Sequence, residues 1–219
     1  MAFGLLSDIA GLFFPLKCTF CQKGIKNTEP GICPDCVKTL PYTGDKSKQK
    51  GDFYTLCVSP LYYSDKARKA VMRFKFNGKT NYARVFGALL AECIRQNLAG
   101  RYDLISWIPL SGKKLKKRGY AQSALLAMAA ALALDDVAVD LLDKPKDTPA
   151  QSTLKGRSQR KANVSGAYTV KEIGMVKGKR ILLIDDIITT GATLSECARV
   201  LLNAGASEIV CAALCRARD

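Results

Sequence analysis

A chain of 219 residues, 48% hydrophobic and 24% charged, has the ordinary balance of a soluble globular protein and room for one good-sized core with a small appendage. Its 34 Lys and Arg against 19 Asp and Glu leave a formal net charge of +15, which points to a polyanionic partner: nucleic acid, a phosphorylated ligand or an anionic membrane face. With no histidine, Ser–His–Asp and Cys–His catalysis and histidine metal ligands are excluded, and no window approaches the roughly 18–20 apolar residues of a membrane span.

In chain order, residues 3–14 place Phe3, Leu6, Ile9, Leu12 and Phe13 near one face of an expected helix that Pro15 ends. It either packs on its own protein or docks on a membrane surface or partner. The stretch lacks a basic leader and a clear cleavage site, so the expected location is the cytoplasm. Two CxxC pairs follow, Cys18 with Cys21 and Cys33 with Cys36. Four thiolates at that spacing can close tetrahedrally on one zinc ion, the geometry of a structural site. The other five cysteines, Cys57, Cys93, Cys197, Cys211 and Cys215, lie in apolar contexts and read as small buried hydrophobes.

The polar stretch 39–52 reads as a linker, which divides the chain into a helix and zinc finger at 1–50 and a larger domain at 51–219. Residues 54–63 read as a strand, and Ser64 as the N-cap of a helix carrying Ala67, Val71 and Phe74 inward. The outer face of that helix would hold Lys66, Arg68, Lys69, Arg73 and Lys75. Phe74 and Phe76 flank Lys75, a mixture of aromatics and cations that suits a single nucleic-acid strand or, equally, a core residue beside a solvated face. A second helix runs through about 81–97, and 102–109 is the next strand. Directly after it, Leu110, Ser111, Gly112 and Lys113 make a glycine turn with adjacent lysines, suited to a diphosphate. Residues 113–118 carry five basic residues in six, including Lys114, Lys116, Lys117 and Arg118. An Ala- and Leu-rich helix then leads to a strand at 139–142 and a polar, basic segment through 168. That segment, with Lys155 and Arg157, reads either as a mobile lid over an anionic ligand or as a surface loop.

The most informative stretch is 181–193. Ile181, Leu182, Leu183 and Ile184 form the apolar run of a strand buried on both faces, as in a parallel sheet. Asp185 and Asp186 follow at the expected strand end, then Thr189, Thr190, Gly191, Ala192 and Thr193 open an amphipathic helix with Gly205 past its end. A glycine-containing loop at a helix N-terminus offers backbone N–H groups to a phosphate. The neighbouring acids repel phosphate but suit ribose hydroxyls. Thr193 and Glu196 are also spaced as a capping box, which would not call for the double acid. A Walker-type nucleotide site is excluded, because Arg73 stands where the first glycine of a loop ending Gly78-Lys79-Thr80 belongs. A last buried strand is expected at 208–214.

The 181–193 stretch resembles the ribose-phosphate motif of the type I phosphoribosyltransferases, whose ligand is phosphoribosyl pyrophosphate (PRPP). A four-cysteine module followed by such a domain resembles the ComF family of competence proteins over nearly the whole chain. Phe74-Lys-Phe-Asn-Gly78, Pro109-Leu-Ser111, Arg118-Gly-Tyr120 with Gln122, Asp147-Thr-Pro149 with Gln151, and Asn163 through Tyr168 share in the likeness. Ala121 departs from it, standing where the family usually has asparagine. The resemblance implies an α/β fold with a parallel sheet flanked by helices. It further implies a PRPP site at Asp185, Asp186 and 189–193, Mg²⁺ accompanying PRPP, and a pyrophosphate loop at 110–113. It points to natural transformation, where single-stranded DNA is handled on the cytoplasmic side of the membrane, in some members with a ComFA-like helicase. Lys75, Lys114, Lys116, Lys117, Arg118, Lys155 and Arg157 are the candidate nucleic-acid contacts. Three functions stay open: a DNA-handling competence factor that binds PRPP, an active transferase moving ribose 5-phosphate to a nitrogen nucleophile, and a non-catalytic adaptor or regulator whose charge and N-terminal helix recruit partners.

Overall fold

The computed structural model describes residues 16–26, 31–149 and 156–218, with the Arg157 side chain left aside. The expected helix at 3–14, Gln151 and Lys155 lie outside them. The fold is α/β, built on a six-stranded sheet ordered β1-β2-β8-β7-β4. Its strands are β1 (Lys48–Gln49), β2 (Leu56–Val58), β3 (Leu61–Tyr62), β4 (Leu104–Trp107), β7 (Arg180–Ile188) and β8 (Glu208–Arg216). Strands β2, β8, β7 and β4 run parallel, β3 pairs parallel with β8 beyond β2, and only β1 is antiparallel, at the edge. A separate antiparallel pair joins β5 (Leu142–Asp143) to β6 (Thr169–Val170).

The central strands are apolar throughout because both their faces are covered. Alternate side chains go to opposite cores: Leu182, Ile184, Val210, Ala212 and Leu214 to one, and Ile181, Leu183, Ile209, Cys211 and Ala213 to the other. Helices α2 (Asp65–Phe76), α3 (Tyr82–Leu98) and α5 (Gln122–Ala133) contribute to the first core. Helices α6 (Arg157–Val164) and α8 (Ala192–Asn203) contribute to the second. Short α1 (Pro34–Thr39), α4 (Gly112–Arg118) and α7 (Ile173–Val176) complete the α-helices among the described residues. Gly87 lets α3 and α5 meet closely, since a Cβ there would stand 2.5 Å from that of Ala129. Helix α8 ends in a Schellman turn, with Ala206 N–H donating to Leu201 and Gly205 N–H to Leu202, and Gly205 at φ +97°.

The structure revises several local expectations. The strand expected over 54–63 is broken between β2 and β3 at Ser59–Pro60, where proline has no N–H for the ladder. The stretch 39–52, read as a linker, holds a 3₁₀ turn at Gly44–Ser47 and strand β1, with Thr43 and Ser47 buried. Strand β7 does not end at the two acids. It continues to Ile188, because β8 beside it runs on to Arg216 and pairs with it through that point. Ser64 does sit at the N-cap of α2, but its hydroxyl makes no cap bond. The strand expected at 139–142 is reduced to a parallel bridge of Ala138 with Ile105 before the chain turns to β5. Among the described residues no helix is long and apolar enough to cross a membrane.

The cysteine knuckle is part of the first core. Phe20 packs edge-on to Phe86, 5.8 Å between ring centres, and Phe86 in turn meets Phe74 at 5.4 Å. Arg73 donates to the carbonyls of Thr19 and Phe20 at 2.9 and 2.8 Å, so it clamps the knuckle rather than facing solvent.

Candidate functional site

The loop after β7 sets the site. Gly191 takes φ +73° at the N-cap of α8, and a Cβ there would stand 2.6 Å from the hydroxyl of buried Tyr54. Only glycine fits that turn. The first amides of α8 have no intrahelical partner, and residues 189–194 line a cleft of about 500 Å³, a size suited to a small ligand. Arg160 of α6 donates to the Thr189 hydroxyl at 3.1 Å and ties the loop from the opposite side. Glu196 makes no capping box: its carboxylate accepts from the Gly166 N–H at 2.7 Å and pairs with Arg199.

Asp185 and Asp186 line the same cleft. One Asp185 oxygen accepts from the Ser123 hydroxyl at 2.9 Å and the Asp186 N–H at 2.8 Å. Burial first, and then the neighbouring Asp186 charge, push the Asp185 carboxyl up to about 7, against the opposing pull of Lys75. A carboxyl whose folded value lies above its unfolded one holds its proton longer in the folded chain. Stability therefore falls as pH rises from about 4 through about 7. Asp185→Asn keeps an oxygen acceptor for both donors and removes that loss. The variant should be more stable than wild type at pH 8 by on the order of 1–3 kcal/mol, with the gap closing near pH 4. Urea denaturation at the two pH values checks this.

Among the described residues six cations line the cleft with the two acids: Arg68, Lys75, Lys114, Arg118, Lys144 and Arg160. Lys144 is only 8% exposed, and its ammonium lies 2.9 Å from the Tyr168 hydroxyl and 4.7 Å from the ring centre. No carboxylate among the described residues pairs with it. Its pKa is lowered by burial first and by Lys114 second. Lys114 donates to the Thr148 carbonyl at 2.6 Å. A buried cation with no ion pair among the described residues, only the more remote Asp185 and Asp147 favouring its charge, is the electrostatic complement of a phosphate at the neighbouring helix N-terminus.

Of the expected pyrophosphate loop, Leu110 lines the cleft; Ser111 is buried and donates to Asp147 at 2.5 Å, and Gly112 and Lys113 are exposed. Among the candidate nucleic-acid contacts, Lys116 and Lys117 are exposed on α4. Lys75, Lys114 and Arg118 turn into the cleft, as does Arg68. Lys75 pairs with Asp186 at 2.8 Å instead of standing on an outer face. Phe74 is core, whereas Phe76 is 58% exposed with the Arg118 guanidinium 5.0 Å over its ring. Ser123, Lys144, Arg160 and Tyr168 are the site residues that sequence reasoning did not single out as contacts. Tyr168 belongs to the 163–168 stretch that resembled the family, which was the available signal.

At the other end of the first core, the sulfurs of Cys18, Cys21, Cys33 and Cys36 all lie within 4.8 Å of one another. This set can hold a metal ion such as zinc, whose bonds of about 2.3 Å to four sulfurs require such a cluster. Burial works against the Cys18 thiolate, but N–H donors of Cys21, Cys33 and Phe20 outweigh it and bring the thiol down to about 7. The other five cysteines are buried and free.

A family model described as "Phosphoribosyl transferase domain" matches residues 121–219. Competence protein ComFC of Streptococcus pneumoniae is 30% identical over 195 residues, covering 88% of this chain and 84% of its own. The chain belongs to the ComF family of competence proteins. Competence protein F of Haemophilus influenzae is 26% identical, over 94% of this chain and 99% of its own. The DNA utilization protein YhgH of Escherichia coli is 27% identical, over 91% and 89%.

Proposed function

We propose that this ComF protein seats PRPP in the 185–193 cleft and handles single-stranded DNA in competence, with zinc holding its four-cysteine knuckle. One observation carries the ligand: two acids able to accept ribose hydroxyls, a helix-opening loop and a buried ammonium with no ion pair among the described residues meet in one cleft of about 500 Å³. The 5′-phosphate goes to the amides of 189–193, the ribose hydroxyls to Asp185 and Asp186, and the pyrophosphate to the lysine-lined wall that includes Leu110 and Lys114. For DNA, the support is the +15 charge, exposed Lys116 and Lys117, and the Phe76 ring at the cleft mouth beside Arg118, with Met72 39% exposed on the same wall. Aromatic faces stack bases and cations hold phosphates, without regard to sequence. The names of the relatives, competence and DNA utilization proteins, agree with this role.

Anisotropy titration of a labelled oligonucleotide over a series of salt concentrations tests the DNA arm. The affinity should fall with a log–log slope of about −0.7 per contacted phosphate; no binding at low salt would remove it. A second reading, transfer of ribose 5-phosphate, is favoured by the same wall, which leaves an apolar face of Met72 and Phe76 next to the acids. There an acceptor nitrogen would form a bond to the anomeric carbon as the bond to pyrophosphate oxygen breaks, with the pyrophosphate taking the bonding pair. Pyrophosphate release in the presence of purine, pyrimidine and amine acceptors tests it, and silence with all three would count against turnover.

A further inference from the structure

The acid pair already faces a cation that the chain supplies. Lys75 Nζ stands 2.8 Å from Asp186 Oδ2, with the two side chains 16% and 11% exposed. The ammonium is delivered by the last turn of α2, and that turn is fastened from the α4–α5 junction. The Tyr120 hydroxyl donates to the Phe74 carbonyl, and Gln122 Nε2 reaches the Lys75 carbonyl at 3.5 Å. Gln122 is itself held by Arg118 at 2.8 Å. Besides this pair, the charged residues that line the cleft are Asp185, Arg68, Lys114, Arg118, Lys144 and Arg160.

Mg²⁺, expected to accompany PRPP in the resembling enzymes, does not fit this donor set as a protein-bound ion. Asp186 is already neutralised, and any divalent ion reaching it would stand within a few ångströms of an ammonium that repels it. An ammonium can instead do what the metal does for a pyrophosphate ester, lying between the acid and the phosphate oxygens and offsetting their charge. We propose that Lys75 takes the place of the divalent cation, so that this cleft binds PRPP without Mg²⁺. The proposal rests on the PRPP reading and deepens it.

The test is calorimetric titration of the full chain with PRPP, in buffer containing Mg²⁺ and in buffer freed of it by chelating resin. A dissolved chelator is avoided because it would compete for metal at the cysteine cluster. Wild type should bind with dissociation constants within about threefold in the two buffers. Lys75→Met, which keeps the aliphatic stem, should lose at least about tenfold in affinity without Mg²⁺ and recover when it is added. Lys75→Arg should remain indifferent to the metal, a rescue by charge that a purely structural role would not give. Wild-type binding that appears only with Mg²⁺, or a Lys75→Met variant as indifferent to the metal as wild type, overturns the proposal. Should Lys75→Met fail to fold, the wild-type comparison decides alone. Absence of binding in both buffers is a different result, for it removes PRPP as the ligand and this inference with it.

Discussion

Stripping metal from the four-cysteine cluster is expected to lower the melting temperature of the whole chain by about 10 °C or more, not merely to loosen the knuckle. The four sulfurs lie within 4.8 Å of one another, close enough for one metal ion to tie the two CxxC pairs together. Zinc bound to four thiolates supplies on the order of 10 kcal/mol or more to small folded modules. In this chain the knuckle is continuous with the first core: Phe20 against Phe86, Gly31 against Val85, and the Arg73 clamp on Thr19 and Phe20 all cross from knuckle to helix. Loss of the metal would leave Phe20 without its support and the Arg73 guanidinium without its acceptors. Because Arg73 lies two residues before Lys75, the damage should extend to the cleft and weaken PRPP binding as well. Differential scanning calorimetry before and after chelation, with Cys36→Ser as the genetic equivalent, measures the effect. An unchanged melting temperature would show that the cysteines pack without metal.

Lys144→Met should separate binding from stability in the opposite sense. The ammonium is enclosed and makes no ion pair among the described residues; burial and Lys114 outweigh the more remote pull of Asp185 and Asp147, so the folded chain gains little from its charge. Replacing it with an uncharged chain of similar length should leave stability unchanged or raise it by about 1 kcal/mol. PRPP affinity should fall by on the order of 10²-fold, as expected when one charge-assisted contact to a phosphate is lost in a desolvated site. Urea denaturation and a PRPP titration on the same preparation check both halves. Lost stability with intact affinity would make Lys144 a structural residue and take the best-buried cation out of the phosphate site.

The residues legible in the sequence were those whose chemistry is local. The double acid and the Thr/Gly loop at 185–193 form one continuous backbone turn, and the CxxC spacing brings each cysteine pair together before any tertiary contact forms. Strand β7 was legible because a run buried on both faces leaves no polar positions. Lys75 was misplaced because helical periodicity gives the direction in which a side chain leaves the helix, not where a long flexible stem ends. Here the end is fixed by Asp186, 111 positions away in the chain. The Lys144–Tyr168 pair was invisible for the same reason, since it exists only once β5 and β6 have paired. The bond from the Ser111 hydroxyl to Asp147 was likewise beyond local reading, since its partner lies 36 positions away. The break at Pro60 was readable in principle, from the missing N–H alone.

Calorimetric titration of PRPP into wild type and into the chain carrying Asp185→Asn and Asp186→Asn decides whether the acid pair holds this ligand. Wild type should show one saturable site per chain, and the variant, still folded, at least about a hundredfold weaker binding. A doubly neutralised chain that binds PRPP as tightly as wild type would rule out the acid pair as the ribose contact.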